Sequence, residues 1–357
     1  MTARETGGGY RRQPPSPHRH QSRILTPYPS PRDAARRAER QVDACRAGER
    51  DCCLALRPLD MPSVAFLGLG AIGRPMAARL AHAPGVTLTV WNRSADKART
   101  FGREHGARVA VTPAEAAAAA EVVITCFPVS ADVESLLEGT DGLLAGMKHA
   151  TTLVDCTSGD PTTSRRIAAR LAERGIGFLD APVSGGTSGA EQGTLTVMVG
   201  GEPALLDRVR PALEPFARKI VHCGAVGAGD ALKAVNNALL AVHLWSTAEG
   251  LAALTKAGVS PAVALDVINA SSGRSNASMN LFPDRVLTRA FPRTFRLALL
   301  DKDVGIAAGV AREQKVPTPL LQLTADLFRV AHNALGDEVD HVEAVKVVEQ
   351  WAGREIA

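Results

Sequence analysis

The chain has 357 residues, of which 45% are apolar and 22% charged, and its formal net charge is +4. This composition is that of a globular protein long enough for two domains, and no run of about 20 uninterrupted apolar residues marks a membrane span. The six cysteines form no CxxC pair and no Cys/His spacing typical of zinc. We therefore expect no bound metal, and small buried thiols in a protein of the reducing cytoplasm.

The first segment, residues 1–60, is predicted to be a disordered or mis-started basic tail. It holds 12 Arg against 7 acidic residues, while the remainder of the chain is nearly neutral. Stretches such as RRQPPSPHRH bury too little apolar surface to offset the entropy of ordering, and strand-like sequence begins abruptly after Met61. The acids and many prolines disfavour a targeting peptide, and the arginines alone are only a weak indication of a nucleic-acid partner, so none is expected.

The stretch SVAFLGLGAIGRPMAARLA (63–81) predicts a strand, a glycine-rich turn and a helix. Its glycines match GxGxxG, the turn at which a dinucleotide pyrophosphate approaches the backbone and the free N–H groups of a helix start. A bare GxGxxG is a weak signal, but a strand before it and a helix after it supply the confirming context. The expected cofactor-binding residues of this turn are Gly68, Leu69, Gly70, Ala71, Ile72 and Gly73.

The second predicted strand, VTLTVWNRS (86–94), ends in Asn92, Arg93 and Ser94. An acidic residue at this place would bind the ribose hydroxyls of NAD. A guanidinium and small hydrogen-bonding groups suit a 2′-phosphate instead, so NADP(H) is predicted as the cofactor in preference to NAD(H). The alternative is that Arg93 is only a solvated surface residue.

Four further apolar runs, at 121–128, 151–158, 176–186 and 195–201, recur with helical stretches between most of them. This alternation predicts a Rossmann-type doubly wound α/β domain over residues 61–224. Because ligands of such sheets lie at the carboxyl ends of the strands, Phe127, Pro128 and the Thr157–Ser158 pair are expected to face the cofactor crevice.

The glycine-rich loop SGGTSGAEQGTL (184–195) follows one of these runs. Consecutive N–H groups at Ser184, Gly185 and Gly186 can form an anion-binding nest for a substrate carboxylate. The alternative is a flexible hairpin.

Strand signals end near residue 225, so residues 225–357 are predicted to form an all-α domain for substrate binding and dimerisation. Its first helix contains GDALKAVNN and is too long and too apolar on all sides for a surface helix. We therefore expect a second subunit to help bury it, in a homodimer or homotetramer. Lys233 and Asn237 are four residues apart and share one face of this helix, and an unpartnered buried lysine is costly.

These stretches together resemble the β-hydroxyacid dehydrogenase family, which includes 3-hydroxyisobutyrate dehydrogenase and tartronate semialdehyde reductase. Four motifs stand in the family's order: GLGAIGRPMA, DAPVSGGTSGAEQGTL, GAGDALKAVNN and LLDKD (299–303). The resemblance covers Met61 to about residue 353. One departure is visible, because the family's usual D-x-S-T reads DCTSG here, so Thr157 and Ser158 are exchanged and the exact contact at this place stays open.

The resemblance implies specific roles for several residues. Lys233 is expected to be the catalytic acid/base, and Asn237 a substrate ligand. Lys302 is expected to reach both the cofactor and the substrate, and the carboxylate is expected to bind at the loop Ser184, Gly185 and Gly186. The residues support the lysine independently, because hydride transfer to a carbonyl needs a proton donor near the forming alkoxide. The only tyrosines, Tyr10 and Tyr28, lie in the tail, which excludes a Tyr–Lys arrangement, whereas a histidine acid stays open.

The activity implied by the resemblance is NADP-dependent interconversion of a small 3-hydroxy acid, of the 3-hydroxyisobutyrate type, and its semialdehyde. Reduction of tartronate semialdehyde, glyoxylate or succinic semialdehyde are alternatives, and oxidative decarboxylation of 6-phosphogluconate is disfavoured by the shorter body of this chain. A non-enzymatic cofactor-binding scaffold and an imine reductase are both disfavoured by the presence of Lys233.

Overall fold

The computed structural model describes residues 62–357, and the predictions for residues 1–60 and for Met61 lie outside that range. Within it, the chain up to Gly224 forms a nine-stranded sheet with helices packed on it, and the chain from Ala228 onwards is helical. The predicted fold class, a Rossmann-type domain followed by a helical domain, is confirmed.

The sheet is mostly parallel. Its strands are β1 Val64–Leu67, β2 Leu88–Trp91, β3 Arg108–Val109, β4 Val122–Thr125, β5 Thr152–Asp155, β6 Gly177–Asp180, β7 Val183–Ser184, β8 Leu195–Gly200 and β9 Ala217–Gly224. The first six run parallel in the order β3-β2-β1-β4-β5-β6, while β8 is antiparallel to β6 and β7 and parallel to β9. Because the strand order reverses between β1 and β4, their carboxyl ends form the crevice in which such sheets bind ligands.

Helices cover both faces of this sheet. They are α1 Gly73–Ala81, α2 Ala95–His105, α3 Pro113–Ala118, α4 Ser130–Ser135, α5 Leu143–Gly146, α6 Pro161–Ala172, α7 Gly186–Gln192 and α8 Pro203–Leu213. Side chains of β1 alternate between two apolar cores: Val64 and Phe66 pack into one, Ala65 and Leu67 into the other. Strands that are buried on both faces are what a doubly wound sheet requires.

The helical half is built around one long helix. Its helices are α9 Ala228–Lys256, α10 Pro261–Asn269, α11 Leu297–Glu313, α12 Pro319–Leu335 and α13 Val345–Ala352, with a π-helical stretch at Ala277–Val286. Among the described residues, α9 is the one helix long and apolar enough to cross a membrane, by length and composition only. It packs on α11, α12, α13 and β8 and contributes Leu244, Trp245 and Leu251 to a third apolar core, as a core helix does.

The burial predicted for α9 is correct for only part of its surface. Leu232, Leu239 and Leu254 are 46%, 48% and 37% exposed in the single chain. On the same face of the helix, Asn236, His243 and Ser246 are exposed between these leucines.

Some elements were not predicted from the sequence. The strand β9 was not predicted because Arg218, Lys219 and His222 interrupt its apolar pattern. These residues are tolerated because β9 pairs on one side only, with β8. The loop 184–195 contains the short helix α7, whose seven residues are rich in glycine and therefore carry little helical signal.

Candidate active site

The glycine turn between β1 and α1 meets the carboxyl end of β4. A Cβ atom on Gly68 would lie 2.3 Å from the backbone oxygen of Cys126, and one on Gly73 would lie 2.0 Å from that of Gly68. At Gly70, by contrast, a Cβ atom would meet no atom within 4 Å. Two glycines thus permit close backbone packing inside the protein, and the middle one leaves open space where a pyrophosphate can approach.

The three residues predicted at the end of β2 divide into two kinds. Asn92 is tied into the fold, because its Oδ1 accepts from Leu69 N–H at 2.9 Å and its Nδ2 donates to the Ser94 carbonyl at 3.1 Å. It therefore holds the glycine turn against β2. Arg93 and Ser94 are exposed, and among residues 62–357 the Arg93 guanidinium forms no ion pair.

The structure places Thr157 beneath the crevice rather than in it. Its side chain is 1% exposed, its Oγ1 accepts from Phe127 N–H at 3.0 Å, and its own N–H donates to Asp155 Oδ1 at 3.0 Å. Thr157 therefore supports the backbone that carries Phe127 and Pro128, and its contact with the cofactor stays a prediction. Pro128 is exposed and Phe127 half-buried, as a crevice wall requires.

Two buried carboxylates fasten the start of α9 to the sheet. Asp180, at the end of β6, accepts from Gly227 N–H at 2.7 Å and from Asp230 N–H at 3.0 Å, one bond on each oxygen. Asp230 in turn accepts from Gly159 N–H at 3.0 Å and from the Ser164 hydroxyl at 2.6 Å. Sequence reasoning missed both, although GFLD places Asp180 at the end of a strand and GDALK places Asp230 just before Lys233.

Burial raises the pKa values of three carboxyl groups, those of Asp155, Asp180 and Asp230. Burial raises the pKa of Asp155 to about 6 and raises the pKa of Asp230 well above its ordinary value, with the Asp180 carboxylate as a further cause for both. Burial also raises the pKa of Asp180, against the lowering effect of the backbone N–H groups it accepts from.

We expect opposite effects on stability from two Asp→Asn substitutions. Both hydrogen bonds to the Asp155 carboxylate converge on Oδ1, so Asp155→Asn keeps them. Because the pKa of Asp155 is raised in the folded state, its contribution to the unfolding free energy falls as the pH rises from about 4 to about 6. Asp155→Asn removes this loss, so we expect it to stabilise the folded protein at pH 8 by up to about 3 kcal/mol.

Asp180→Asn is the matched contrast. Each Asp180 oxygen accepts a backbone N–H, so an amide places an N–H group against an N–H group, which costs about 1–3 kcal/mol. Urea unfolding at pH 5 and pH 8 measures both effects. An Asp155→Asn variant equally affected at the two pH values would contradict the buried-charge explanation.

Lys233 lies on α9 one turn beyond Asp230 and is 9% exposed. Burial lowers its pKa; the Asp303 carboxylate opposes that lowering and the Lys302 ammonium adds to it. The predicted lysine is thus a buried amine with a proton held less tightly than on the surface, the condition under which a lysine serves as an acid/base.

The structure brings Asn237 and Lys302 together through a residue that the sequence reasoning passed over. Asp303, on α11, accepts from Asn237 Nδ2 at 2.6 Å on Oδ2 and from Lys302 Nζ at 3.0 Å on Oδ1. Lys302 Nζ also donates to the carbonyls of Ser158 and Pro128. The lysine therefore links the helical half to the two strand-end loops of the cofactor crevice, and the motif LLDKD contained the missed signal.

The predicted carboxylate loop begins in β7 and continues into α7. Ser184 is half-buried, while Gly185 and Gly186 are exposed with φ of 136° and 65°. Positive φ angles of this kind favour glycine, and the helix α7 begins at Gly186. Across the described part of the chain, no group of three or more His, Cys, Asp or Glu side chains is arranged to hold a metal ion.

Known proteins share this architecture along nearly its whole length. Residues 63–224 match the family model described as the NAD binding domain of 6-phosphogluconate dehydrogenase, and residues 227–348 match that of NAD-binding of NADP-dependent 3-hydroxyisobutyrate dehydrogenase. The chain is 37% identical to 2-(hydroxymethyl)glutarate dehydrogenase of Eubacterium barkeri, over 81% of this chain and 96% of that protein. It is 40% identical to 3-hydroxyisobutyrate dehydrogenase of Pseudomonas aeruginosa, over 75% and 91%.

A solved structure agrees with these relatives. Mycobacterium tuberculosis 3-hydroxyisobutyrate dehydrogenase, determined with L-serine, superposes with a TM-score of 0.74 at 35% identity, over 81% of this chain and 99% of that one. The fold and the matches define an NAD(P)-dependent 3-hydroxyacid dehydrogenase. The chain belongs to the β-hydroxyacid dehydrogenase family, alongside the 3-hydroxyisobutyrate dehydrogenases.

Proposed function

We propose that this protein interconverts a small 3-hydroxy acid, of the 3-hydroxyisobutyrate type, and its semialdehyde with NADP(H), using Lys233 as the acid/base. The observation that carries the proposal is the buried position of Lys233 at the start of α9. Because burial lowers its pKa, the ammonium can release and regain a proton closer to neutral pH than an exposed lysine.

The residues of the site divide the work of the reaction. In oxidation, neutral Lys233 takes the proton of the C3 hydroxyl, and in reduction the ammonium returns it to the forming alkoxide. Asn237, one turn further along α9, holds the substrate hydroxyl or carboxylate, and the N–H groups of Ser184, Gly185 and Gly186 bind the carboxylate. When bound, the nicotinamide supplies or accepts the hydride at C4.

The residues present fit a dinucleotide. Gly70 has open space around its α-carbon, and α1 begins with no side-chain cap and no acidic residue in its first turn, which favours a pyrophosphate. At the end of β2, exposed Arg93 and Ser94 are available to a 2′-phosphate, and this supports NADP(H) over NAD(H).

Arg93→Ala is expected to raise the KM for NADPH about tenfold and leave the KM for NADH little changed, because a charge-assisted contact to phosphate is worth about 1.5–3 kcal/mol. Steady-state kinetics with both cofactors measures the effect. Arg99→Ala is the matched control, since Arg99 lies on α2 and pairs with Asp96 at 2.6 Å. Equal changes for NADPH and NADH would show that Arg93 does not read the 2′-phosphate.

The substrate class follows from a chemical feature common to the relatives. 2-(Hydroxymethyl)glutarate, 3-hydroxyisobutyrate and L-serine, named with these proteins, all carry a CH₂OH group on the carbon next to a carboxylate. We propose the same unit for this protein's substrate. The product of tartronate semialdehyde reduction also contains it, so that alternative stays open, whereas glyoxylate and succinic semialdehyde give products without it.

We also propose a homodimer or homotetramer in the cytoplasm, divided at residues 61–224 and 225–357 into cofactor and substrate domains. The exposed side chains of Leu232, Leu239 and Leu254 on α9 support association with a second copy. Light scattering on the eluting protein tests it, and a monomeric mass at micromolar concentration would contradict it.

A panel of substrates tests the proposed reaction. Purified protein is assayed with NADPH and NADH against methylmalonate, tartronate and succinic semialdehydes and glyoxylate, and with NADP⁺ against the corresponding hydroxy acids. We expect the highest kcat/KM with NADP(H) and substrates that contain the CH₂OH–CH–carboxylate unit. A preference for glyoxylate, or for NADH, would overturn the corresponding part of the proposal.

A further inference from the structure

The carboxylate of Asp303 is the central charged group of the site, although no role has been assigned to it. Its side chain is 2% exposed, and both of its oxygens are engaged, Oδ2 by Asn237 Nδ2 and Oδ1 by Lys302 Nζ. A buried carboxylate is tolerated only when it is paired and hydrogen-bonded. Here its partners are two residues of the proposed site itself.

We infer that Asp303 is a positioning residue of the proposed reaction, which fixes the Asn237 amide and the Lys302 ammonium around Lys233. The inference rests on the proposed function of Lys233 and adds a residue to it. Its first part concerns the direction of an amide. An ionised carboxylate can only accept hydrogen bonds, so Asp303 forces Nδ2 of Asn237 toward itself and Oδ1 away from itself.

The hydrogen bonds around Asn237 agree with this orientation. Oδ1 of Asn237 accepts from Asn236 Nδ2 at 3.2 Å, and one N–H of the Asn237 amide is left to donate to a substrate oxygen. Without the carboxylate, the Asn237 amide can flip, so that either its N–H donor or its oxygen acceptor faces the substrate. Asp303 therefore fixes which hydrogen bond Asn237 offers.

The second part concerns charge. The buried Asp303 carboxylate pairs with the Lys302 ammonium, and both charges act on Lys233: the Asp303 charge raises the pKa of Lys233, while the Lys302 charge lowers it. The other acids near the start of α9 face elsewhere: Asp180 on β6 and Asp230 on α9 are turned to backbone N–H groups and to Ser164. Asp303 and Lys302 thus shift the pKa of Lys233 in opposite directions.

Asp303→Asn tests the inference because it keeps the shape but removes the charge, and the new amide can present either its oxygen or its N–H groups to Asn237. We expect the pH midpoint for labelling of Lys233 by acetic anhydride, followed by mass spectrometry, to fall by about one pH unit. The pH limb of kcat assigned to Lys233 is expected to move down with it, and kcat/KM to fall about tenfold as Asn237 loses its orientation.

Asp301→Asn is the matched control. Asp301 lies on the same helix and is also buried, but it pairs with Arg329 and His332 at 2.8 Å and takes no part in the site. This variant is expected to leave the Lys233 midpoint and the pH limb unchanged. An equal shift in Asp301→Asn and Asp303→Asn would reduce the effect to a general disturbance of α11 and overturn the inference.

Lys302→Met is an independent test, in which the labelling midpoint of Lys233 is expected to shift in the opposite direction. This test remains usable if the Asp303→Asn variant does not fold. Removing the second ammonium is expected to raise the Lys233 midpoint, because Asp303 then acts on Lys233 alone. An unchanged or lowered midpoint would overturn the inference. The labelling of Lys233 does not depend on enzymatic activity. If the pH profile of kcat in the wild-type protein does not follow the labelling midpoint of Lys233, Lys233 is not the acid/base, but the effect of Asp303 on the Lys233 pKa still stands.

Discussion

Lys233→Met is expected to lower kcat by about 10²- to 10⁴-fold, the range in which a positioned proton donor contributes, while the Kd for NADPH stays unchanged. Methionine has nearly the length of lysine and fills the same buried position, but it can neither donate nor accept the substrate proton. Steady-state kinetics gives kcat, and the quenching of NADPH fluorescence on titration gives the binding constant.

The control for this variant lies on the same helix. Lys256 is at the far end of α9, where its Nζ donates to the Ala352 carbonyl at 2.9 Å, so Lys256→Met changes the charge of α9 without touching the site. It is expected to retain full turnover. Near-normal kcat in Lys233→Met would remove the acid/base role from this residue and leave the histidines of the folded body as the alternative.

Two substitutions in the glycine turn are expected to separate folding from cofactor binding. In Gly73→Ala the new methyl group overlaps the Gly68 backbone oxygen, which lies 2.0 Å from the Cβ position, so the backbone must move and stability falls by about 1–3 kcal/mol. In Gly70→Ala the methyl group meets no atom within 4 Å. The fold is therefore unaffected, but the methyl group stands where the pyrophosphate approaches, and the Kd for NADPH rises roughly tenfold or more, equivalent to about 1.4 kcal/mol.

Urea unfolding and NADPH titration of the two variants measure these effects side by side. The two glycines lie three residues apart in one turn, so each variant is the control for the other. Normal NADPH binding by Gly70→Ala would show that the open space at Gly70 is not the place of the pyrophosphate.

The fold was predictable wherever local pattern decides it. The strand and helix around Gly68 and the long apolar helix that carries Lys233 each have a strong periodic signal, and the structure contains them at those places. The edge strand β9 was not predictable, because its pairing with β8 is a long-range choice that its charged residues conceal. The extent of exposure on α9 also could not be foreseen, since it depends on how the other helices pack.

The sequence predicts residue types and shared helix faces for the candidate site, but not its geometry. A lysine and an asparagine four residues apart indicate one shared face, but nothing in sequence spacing shows that Asp303 bonds to Asn237, 66 residues before it. Thr157 shows the same limit, because a residue after a strand end can face the crevice or support the neighbouring loop. Which of these occurs is set by the adjacent strand, here through Phe127 N–H.

The transfer of a hydride between nicotinamide and C3 of a 3-hydroxy acid is the central claim, and isotope transfer measures it most directly. Purified protein is incubated with NADP⁺ and 3-hydroxyisobutyrate deuterated at C3, and the cofactor is recovered for mass spectrometry and NMR. The predicted result is one deuterium at C4 of NADPH for each semialdehyde formed. NADPH without deuterium, or no NADPH formed from any substrate with the CH₂OH–CH–carboxylate unit, would contradict it.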